Sequence, residues 1–343
     1  MKIIMQKLTI STLSQVVLDK NLDDSIKELD KKVFIIDKNV YKLYKNKLDD
    51  YIKESPKYLF DAKENNKTIE EVKKIFSFFL ENNVTRETVI IGIGGGITTD
   101  ITAFTASTFK RGCRLQLIPT TFLGMIDAAI GGKSALNFNG VKNSIGTFYP
   151  AEKVHIFSGF LKTLTEKDRK NGWTECLKVS LINDNGLYEL LYDGNLIITP
   201  EIVQKAIQIK MMLCEKDLYD SNERRKLNLG HTFAHLIESA SEYSISHGEA
   251  VAIGIRKAAE YSYNEKMISN NEFNKINELL DKYNLPYTVS NEIKKKIKKS
   301  GEELIFQDKK AGKRVRLVLF KGFQNIIVKE IYDYQKVIDL ITS

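Results

Sequence analysis

Val89-Ile90-Ile91-Gly92-Ile93-Gly94-Gly95-Gly96-Ile97-Thr98-Thr99-Asp100 begins as a β-branched apolar run and breaks at three consecutive glycines. A short apolar run bounded by glycine reads as a strand buried on both faces, as in parallel sheets. Glycine lets the turn approach an anion closely, and a helix starting there offers unpaired N–H groups and a favourable dipole. The stretch therefore reads as a strand, a phosphate-binding turn and a helix. It is not the dinucleotide fingerprint G-x-G-x-x-G, because counting from Gly92 puts Ile97 where the third glycine belongs. Taken alone, the turn fits a purely structural role as well as a nucleotide site.

The same alternation spreads outward from this stretch. Val33-Phe34-Ile35-Ile36 reads as a buried strand ending at Asp37, and Leu115-Gln116-Leu117-Ile118 as another, stopped by Pro119. Between Thr68 and Leu80, residues Ile69, Val72, Ile75 and Phe79 recur at helical spacing. A last short strand spans Val154 to Phe157, after which the pattern is almost wholly helical to about residue 300. In the tail, Val315 to Phe320 and Ile326 to Val328 read as a small hairpin before a closing helix. These patterns predict an α/β N-terminal domain with a mostly parallel sheet over residues 1–154, and an all-α C-terminal domain over 155–343. A cleft between two such domains is a common place for a ligand.

Bulk properties narrow the class. At 343 residues the chain exceeds one ordinary core, and its 43% hydrophobic and 28% charged residues are those of a soluble globular protein. No stretch approaches the roughly 18 to 20 apolar residues a membrane span needs. The N-terminus lacks the pattern of a secretory signal. Cys113, Cys176 and Cys214 are far apart and odd in number, which argues against a disulfide framework and for a cytoplasmic protein. The net charge of +8 does not point to nucleic acid, because 52 basic residues are interspersed with 44 acidic ones along the whole chain. The densest run, Lys294-Lys295-Lys296-Ile297-Lys298-Lys299, lacks aromatics and precedes Glu302-Glu303, so it reads as a solvated helix face.

Chemistry concentrates in the helical half. Three of the four histidines, His231, His235 and His247, fall within seventeen residues. Any one of them fits a hydrogen-bonded helix residue, but three together point to a divalent metal, for which imidazole is a good ligand. On spacing alone His231 and His235 are the metal pair, since i and i+4 share a helix face. A carboxylate would complete a three-ligand site with an open position. Glu175 and Lys178 share a face three residues apart, and Lys210, Arg224 and Asn228 precede the histidines. A second glycine-rich segment, Asp127-Ala128-Ala129-Ile130-Gly131-Gly132-Lys133-Ser134, leads into Lys142-Asn143-Ser144-Ile145-Gly146. It fails the P-loop spacing, because Asp127 stands where the first glycine belongs, yet two lysines and an asparagine near glycines suit an anion.

Taken in order, these motifs resemble the 3-dehydroquinate synthase family and, more broadly, the sugar-phosphate cyclases. The resemblance runs from Asp37 to Gly322. It rests on Gly94-Gly95-Gly96-x3-Asp100, Arg111-Gly112, Pro119-Thr120-Thr121, Asp127-x3-Gly131-Gly132-Lys133, Lys142-Asn143-x2-Gly146 and Phe160-Leu161-Lys162-Thr163-Leu164. It continues through Glu175-x2-Lys178, Leu227-Asn228-x-Gly230-His231-Thr232-x2-His235, His247-Gly248-Glu249-Ala250 and Asp308-Lys309-Lys310. The resemblance implies that the α/β N-terminal domain is nucleotide-binding and the all-α C-terminal domain metal-binding. It implies metal ligands Glu175, His231 and His247, which replaces the spacing-based pair and leaves His235 beside the metal or on substrate. It implies NAD contacts at Asp37, Asn39, Glu64, Lys67, Gly95, Gly96, Ile97, Asp100, Thr120, Thr121, Asp127, Lys133, Lys142, Phe160 and Thr163. Substrate or catalytic roles are implied for Lys133, Lys142, Asn143, Lys178, Lys210, Arg224, Asn228 and His235. Arg111 resembles an arginine supplied across a dimer interface, and Lys310, or its neighbour Lys309, would close the site.

The chemistry so implied uses NAD and a zinc or cobalt ion on an anionic sugar phosphate. 3-Deoxy-D-arabino-heptulosonate 7-phosphate would undergo transient oxidation, β-elimination of phosphate, re-reduction and intramolecular aldol closure to 3-dehydroquinate, a shikimate-pathway step toward chorismate and aromatic amino acids. The implied enzyme is a cytoplasmic homodimeric lyase without nucleic-acid or membrane partners. Departures from the family pattern at Thr98-Thr99, Gly172-Trp173-Thr174 and Val179-Ser180 keep other cyclases open, of the 2-deoxy-scyllo-inosose or valiolone synthase kind. An NAD-dependent polyol dehydrogenase and a non-catalytic relative are the remaining readings. Net NADH accumulation would mark the former, and failure to bind NAD or metal the latter.

Overall fold

The computed structural model describes residues 7–9, 13–19, 21–306 and 314–343. The chain divides into two compact units, Met1–Thr165 with Lys210–Tyr219, and Glu166–Ile209 with Asp220–Ser343.

Among the described residues of the first unit, the strands and α-helices are β1 (Lys7–Thr9), β2 (Gln15–Asp19), β3 (Lys32–Asp37), α1 (Lys38–Ile52), β4 (Lys57–Phe60), α2 (Ile69–Glu81), β5 (Val89–Gly94), α3 (Gly96–Thr108), β6 (Arg114–Pro119), β7 (Lys133–Phe138), β8 (Val141–Phe148) and β9 (Lys153–Phe157). Seven strands form one sheet in the order β1-β2-β9-β6-β5-β3-β4. All its pairings are parallel except β1 with β2, so six strands make a parallel sheet. A boundary after residue 154 would cut β9, whose pairing with β2 runs through Phe157, so the first unit extends to Thr165. The residues of β5 are all buried, as its β-branched composition requires.

Helix α3 is built against propensity. Thr98, Thr99, Thr102 and Thr105 are buried in it, and β-branched residues are poor helix formers. Thr102 and Thr105 compensate by donating their hydroxyls to the carbonyls four residues back, at 2.7 and 2.6 Å. Gly92 makes room for this helix on β5, since a Cβ there would lie 2.8 Å from Thr102 Oγ1.

Register brings the strand ends to one edge. Ile36 pairs with Ile93, Ile93 with Ile118 and Gly94 with Pro119, so Asp37, Gly95 and Thr120 follow at the same carboxyl edge. In open α/β sheets this is the edge where ligands bind. Strands β7 and β8 form a separate antiparallel hairpin over Lys133–Phe148 that periodicity did not predict.

The second unit is helical with one hairpin: α4 (Glu166–Ser180), α5 (Leu187–Asp193), α6 (Pro200–Lys216, whose last residues from Lys210 group with the first unit), α7 (His231–Ala240), α8 (His247–Asn264), α9 (Asn270–Lys282), α10 (Asn291–Phe306), β10 (Val315–Gly322), β11 (Asn325–Ile331) and α11 (Gln335–Thr342). The tail hairpin and closing helix stand where the sequence places them. On α10, Ile297 is buried and Lys295, Lys296, Lys298 and Lys299 are exposed, so the lysine run is a solvated face. All three cysteines are buried, and none forms a disulfide among the described residues. Among the described residues, no helix is long and apolar enough to cross a membrane.

Candidate metal centre and nucleotide edge

Three elements of the second unit converge on Glu175. Its residue is fully buried within α4, and its Oε1 lies 3.3 Å from His247 Nε2 and 3.7 Å from His231 Nε2. The Lys178 ammonium, one turn on, pairs with Oε2. His231 and His247 are the first residues of α7 and α8. A capping box fixes the start of α8: the Ser246 hydroxyl accepts from the Glu249 N–H at 3.4 Å, and the Glu249 carboxylate accepts from the Ser246 N–H at 3.0 Å. Each imidazole has a partner on its far nitrogen. His231 Nδ1 lies 3.2 Å from the Leu229 carbonyl and His247 Nδ1 lies 3.3 Å from Glu238 Oε1. Such partners fix ring orientation and turn the Nε2 lone pairs inward.

The electrostatics follow from burial and crowding. Burial alone would raise the Glu175 carboxyl, but the Lys178 ammonium and then the two imidazoles outweigh it, holding the group well below the usual carboxylate range. Burial and then Lys178 push His231 down to about 3, so it is a neutral imidazole with a lone pair to offer. For His247, burial opposes the charge but Glu175 and Glu238 prevail, raising it to about 10; its 35% exposed side chain lets water soften both pulls.

This donor set fits a divalent cation. One carboxylate oxygen and two imidazole nitrogens lie within 4.8 Å of one another, and neither Glu175 oxygen has a well-directed hydrogen bond despite the nearby cations. Three protein ligands with room for a fourth are the pattern of catalytic zinc-type sites. The pair suggested by spacing, His231 and His235, is not the centre. His235 is exposed, its ring centroid 5.8 Å from that of His231, and it lies outside the triplet. One helical turn aligns the Cα–Cβ bonds of i and i+4 but not the ring nitrogens, whereas α8 brings His247 in from a second helix.

At the sheet edge of the first unit, Gly95 is the N-cap of α3 and supplies no side-chain cap. A Cβ on Gly95 would lie 3.0 Å from Thr121 Cγ2, and one on Gly96 would lie 3.3 Å from the Ala128 Cβ. Glycine thus keeps the backbone close to these neighbours, while the buried Thr98 hydroxyl has no hydrogen-bond partner. The turn fits an anionic ligand held by backbone N–H groups. Around it, Asp37 caps α1 by accepting the Asn39 N–H at 2.8 Å, and burial pushes its carboxyl up. The Thr120 N–H donates to the Gly94 carbonyl at 2.9 Å, and Thr121 Oγ1 accepts from the Gly124 N–H at 3.0 Å.

Buried Lys67 donates to Asp100 Oδ2 at 2.5 Å and to Asn143 Oδ1 at 2.7 Å. Burial pushes the Asp100 carboxyl up while Lys67 pulls it down, the first prevailing. Lys210 donates to the Asp127 carbonyl and carboxylate at 2.5 Å each. Lys133 starts β7 exposed and Lys142 is half-buried on β8. The Phe160 ring is a core residue, edge-on to Tyr44 at 4.8 Å, and Thr163 shares the Tyr44 hydroxyl at 3.0 Å. Ile97 is half-buried in the first turn of α3. Arg111 is exposed in a left-handed turn with φ 66°. Glu64 is tied to Asn137. In the second unit Arg224 is 1% exposed, and Asn228 ends the same short helical turn, Glu223–Asn228. Lys309 and Lys310 lie outside the described residues.

Sequence reasoning missed Glu238 and Asn137. Glu238 follows His231 by seven residues, two helical turns, which was a readable signal. Asn137 carried none.

This architecture is shared with solved structures over nearly the whole chain. A 2-deoxy-scyllo-inosose synthase complexed with carbaglucose-6-phosphate, NAD+ and Co2+ superposes with a TM-score of 0.85 at 22% identity, covering 99% of each chain. A 2-epi-5-epi-valiolone synthase from Streptomyces hygroscopicus subsp. jinggangensis, with NAD+ and Zn2+ bound, gives 0.82 at 24% identity, covering 98% of this chain and 97% of the other. The chain therefore shares the fold of these two synthases. Sequence goes further: residues 57–171 match the 3-dehydroquinate synthase N-terminal family and residues 172–311 the 3-dehydroquinate synthase C-terminal family. The 3-dehydroquinate synthase of Clostridium tetani is 35% identical over 334 residues, covering 92% of this chain and 88% of that one. The chain belongs to the 3-dehydroquinate synthase family.

Proposed function

We propose that the chain converts 3-deoxy-D-arabino-heptulosonate 7-phosphate to 3-dehydroquinate and phosphate, the shikimate-pathway step toward chorismate and aromatic amino acids. The observation that carries the reading is the convergence of Glu175, His231 and His247 within 4.8 Å in a chain of this family. When bound, NAD and a zinc or cobalt ion supply a reversible hydride acceptor and Lewis acidity. Glu175, His231 and His247 hold the cation, and Lys178 keeps Glu175 ionised. Asp37, Asn39, Glu64, Lys67, Gly95, Gly96, Ile97, Asp100, Thr120, Thr121, Asp127 and Thr163 hold NAD, together with the backbone at Phe160. Lys133, Lys142, Asn143, Lys210, Arg224, Asn228 and His235 bind the phosphate and carboxylate, so these residues act largely by positioning and charge stabilisation. Arg111 is supplied to the neighbouring subunit of a cytoplasmic homodimer, and Lys310 closes over substrate.

Purified protein loaded with zinc or cobalt, given NAD and this substrate, should release phosphate and 3-dehydroquinate in equal amounts without net NADH. Phosphate released from glucose 6-phosphate or sedoheptulose 7-phosphate instead would move the assignment to another cyclase. Accumulating NADH would indicate a dehydrogenase.

A further inference from the structure

Asn137 touches three residues that the proposed function uses. It sits where β7 slips register against β8, between Leu136, which pairs with Ile145, and Phe138, which pairs with Val141. A bulge bends its strand and re-aims the side chain. The Asn137 Nδ2 donates to Glu64 Oε1 at 2.8 Å and to the Glu64 carbonyl at 3.2 Å, and its Oδ1 accepts the Asn143 N–H at 3.0 Å. Its own N–H donates to the Lys67 carbonyl at 2.8 Å. Asn143 is in the left-handed region at φ 53°, and its side chain accepts from Lys67, which also pairs with Asp100. The bonds form one chain: Glu64, Asn137, Asn143, Lys67, Asp100.

We infer that Asn137 is a positioning residue: one carboxamide sets Glu64 against Asn143, and through Asn143 the Lys67–Asp100 pair. It thereby fixes NAD-facing and substrate-facing groups in one frame, an inference that rests on the proposed function. The role needs a donor toward a carboxylate and an acceptor toward an N–H, 3 Å or so from each, which a carboxamide supplies and a carboxylate does not. Aspartate at this position would keep the acceptor but face Glu64 with a like charge.

The test is a charge-swap rescue. Asn137→Asp should weaken NAD binding, measured by calorimetric titration, and lower kcat/KM for phosphate release, each by about 10- to 100-fold, the scale of a small misplacement in a site. Adding Glu64→Gln restores a donor opposite the new carboxylate, so the double variant should return to the level of Glu64→Gln alone. A hairpin contact of purely structural value would lower the unfolding midpoint and leave NAD affinity unchanged. If N137D does not fold, Asn137→Ala, which adds no charge, is read by the same titration. NAD affinity equal to wild type in the variant, or a double variant that binds NAD more weakly than Glu64→Gln alone, would overturn the inference alone. Wild-type protein that binds NAD but releases no phosphate would overturn the proposed function while the titrations still decide Asn137. Wild-type protein that binds no NAD would overturn both.

Discussion

Glu238 does for His247 what the Leu229 carbonyl does for His231: it occupies the nitrogen that faces away from Glu175. Partners of this kind commonly set metal affinity within a factor of about 10 to 100. Glu238→Gln keeps the volume but removes the carboxylate pull, so metal affinity should fall on that scale; competition with a chelating dye measures it. Affinity equal to wild type would mean that α8 alone orients His247. Glu175 is a harder case, because Lys178 depends on it. The Lys178 side chain is only 2% exposed, and removing one partner of a buried pair costs about 3–5 kcal/mol. Glu175→Gln should therefore lose stoichiometric metal and, compared with metal-free wild type, lower the free energy of chemical denaturation by several of those kcal/mol. A variant that kept both would place the cation elsewhere.

The metal triplet depends on the start of α7 meeting the middle of α8 without side chains between them. Gly230, with φ 77°, caps α7, and a Cβ on it would lie 2.6 Å from the Ile255 N. A Cβ on Gly254 would lie 2.1 Å from the Gly230 carbonyl oxygen. This close approach brings the His231 and His247 ring centroids to 5.5 Å. Overpacking of this sort typically costs about 1–3 kcal/mol. Gly254→Ala should lower stability by about that amount and weaken metal binding, whereas Gly248→Ala, which would meet Asn171 rather than α7, should spare the His231 side of the triplet. Wild-type metal affinity in Gly254→Ala would refute the role given to the α7–α8 contact. The contact also explains what could be read from sequence. The strands at Val33, Val89, Leu115 and Val154 were legible because each is a short buried run bounded by a turn signal. So was the suitability of histidines for a metal. The particular triplet was not legible from spacing, because periodicity describes one helix at a time and the α7–α8 crossing belongs to two. The β7–β8 hairpin was hidden for a related reason. It alternates poorly, with Gly140 at its tip and a bulge at Asn137, so its lysines registered as an anion-binding loop and not as strands.

At the scale of the whole chain, the fourth histidine, which the metal centre does not use, adds to the acid sensitivity of the first unit. His155 is 2% exposed on β9; its Nε2 lies 2.8 Å from Gln116 Oε1 on β6 and its Nδ1 3.2 Å from Asp23 Oδ2. Burial pushes the imidazole below its ordinary 6.5, outweighing the pull of Asp23. The His155 imidazole 3.2 Å away, followed by bonds from Ser25, pushes the Asp23 carboxyl far below its ordinary 3.8 although burial opposes this. Both groups bind a proton more readily in the unfolded chain, so both favour folding at neutral pH. The imidazole's contribution is complete above its unfolded pKa of about 6.5 and fades as pH falls toward its lower folded value. The carboxyl's contribution fades only below about pH 4, as pH falls through the depressed folded value. Denaturation of the first unit should thus become easier as pH falls through about 6.5, with a slope from His155 of less than one proton, below about 1.4 kcal/mol per pH unit. His155→Gln removes the titrating group, so its denaturation midpoint should fall less steeply than that of the wild type over the same range, and the Asp23 contribution at lower pH should shrink because His155 is its largest cause. Parallel pH profiles for wild type and variant would show that the acid sensitivity arises elsewhere. The same comparison separates this buried histidine from the metal centre, because His155→Gln should leave the affinity for zinc or cobalt unchanged.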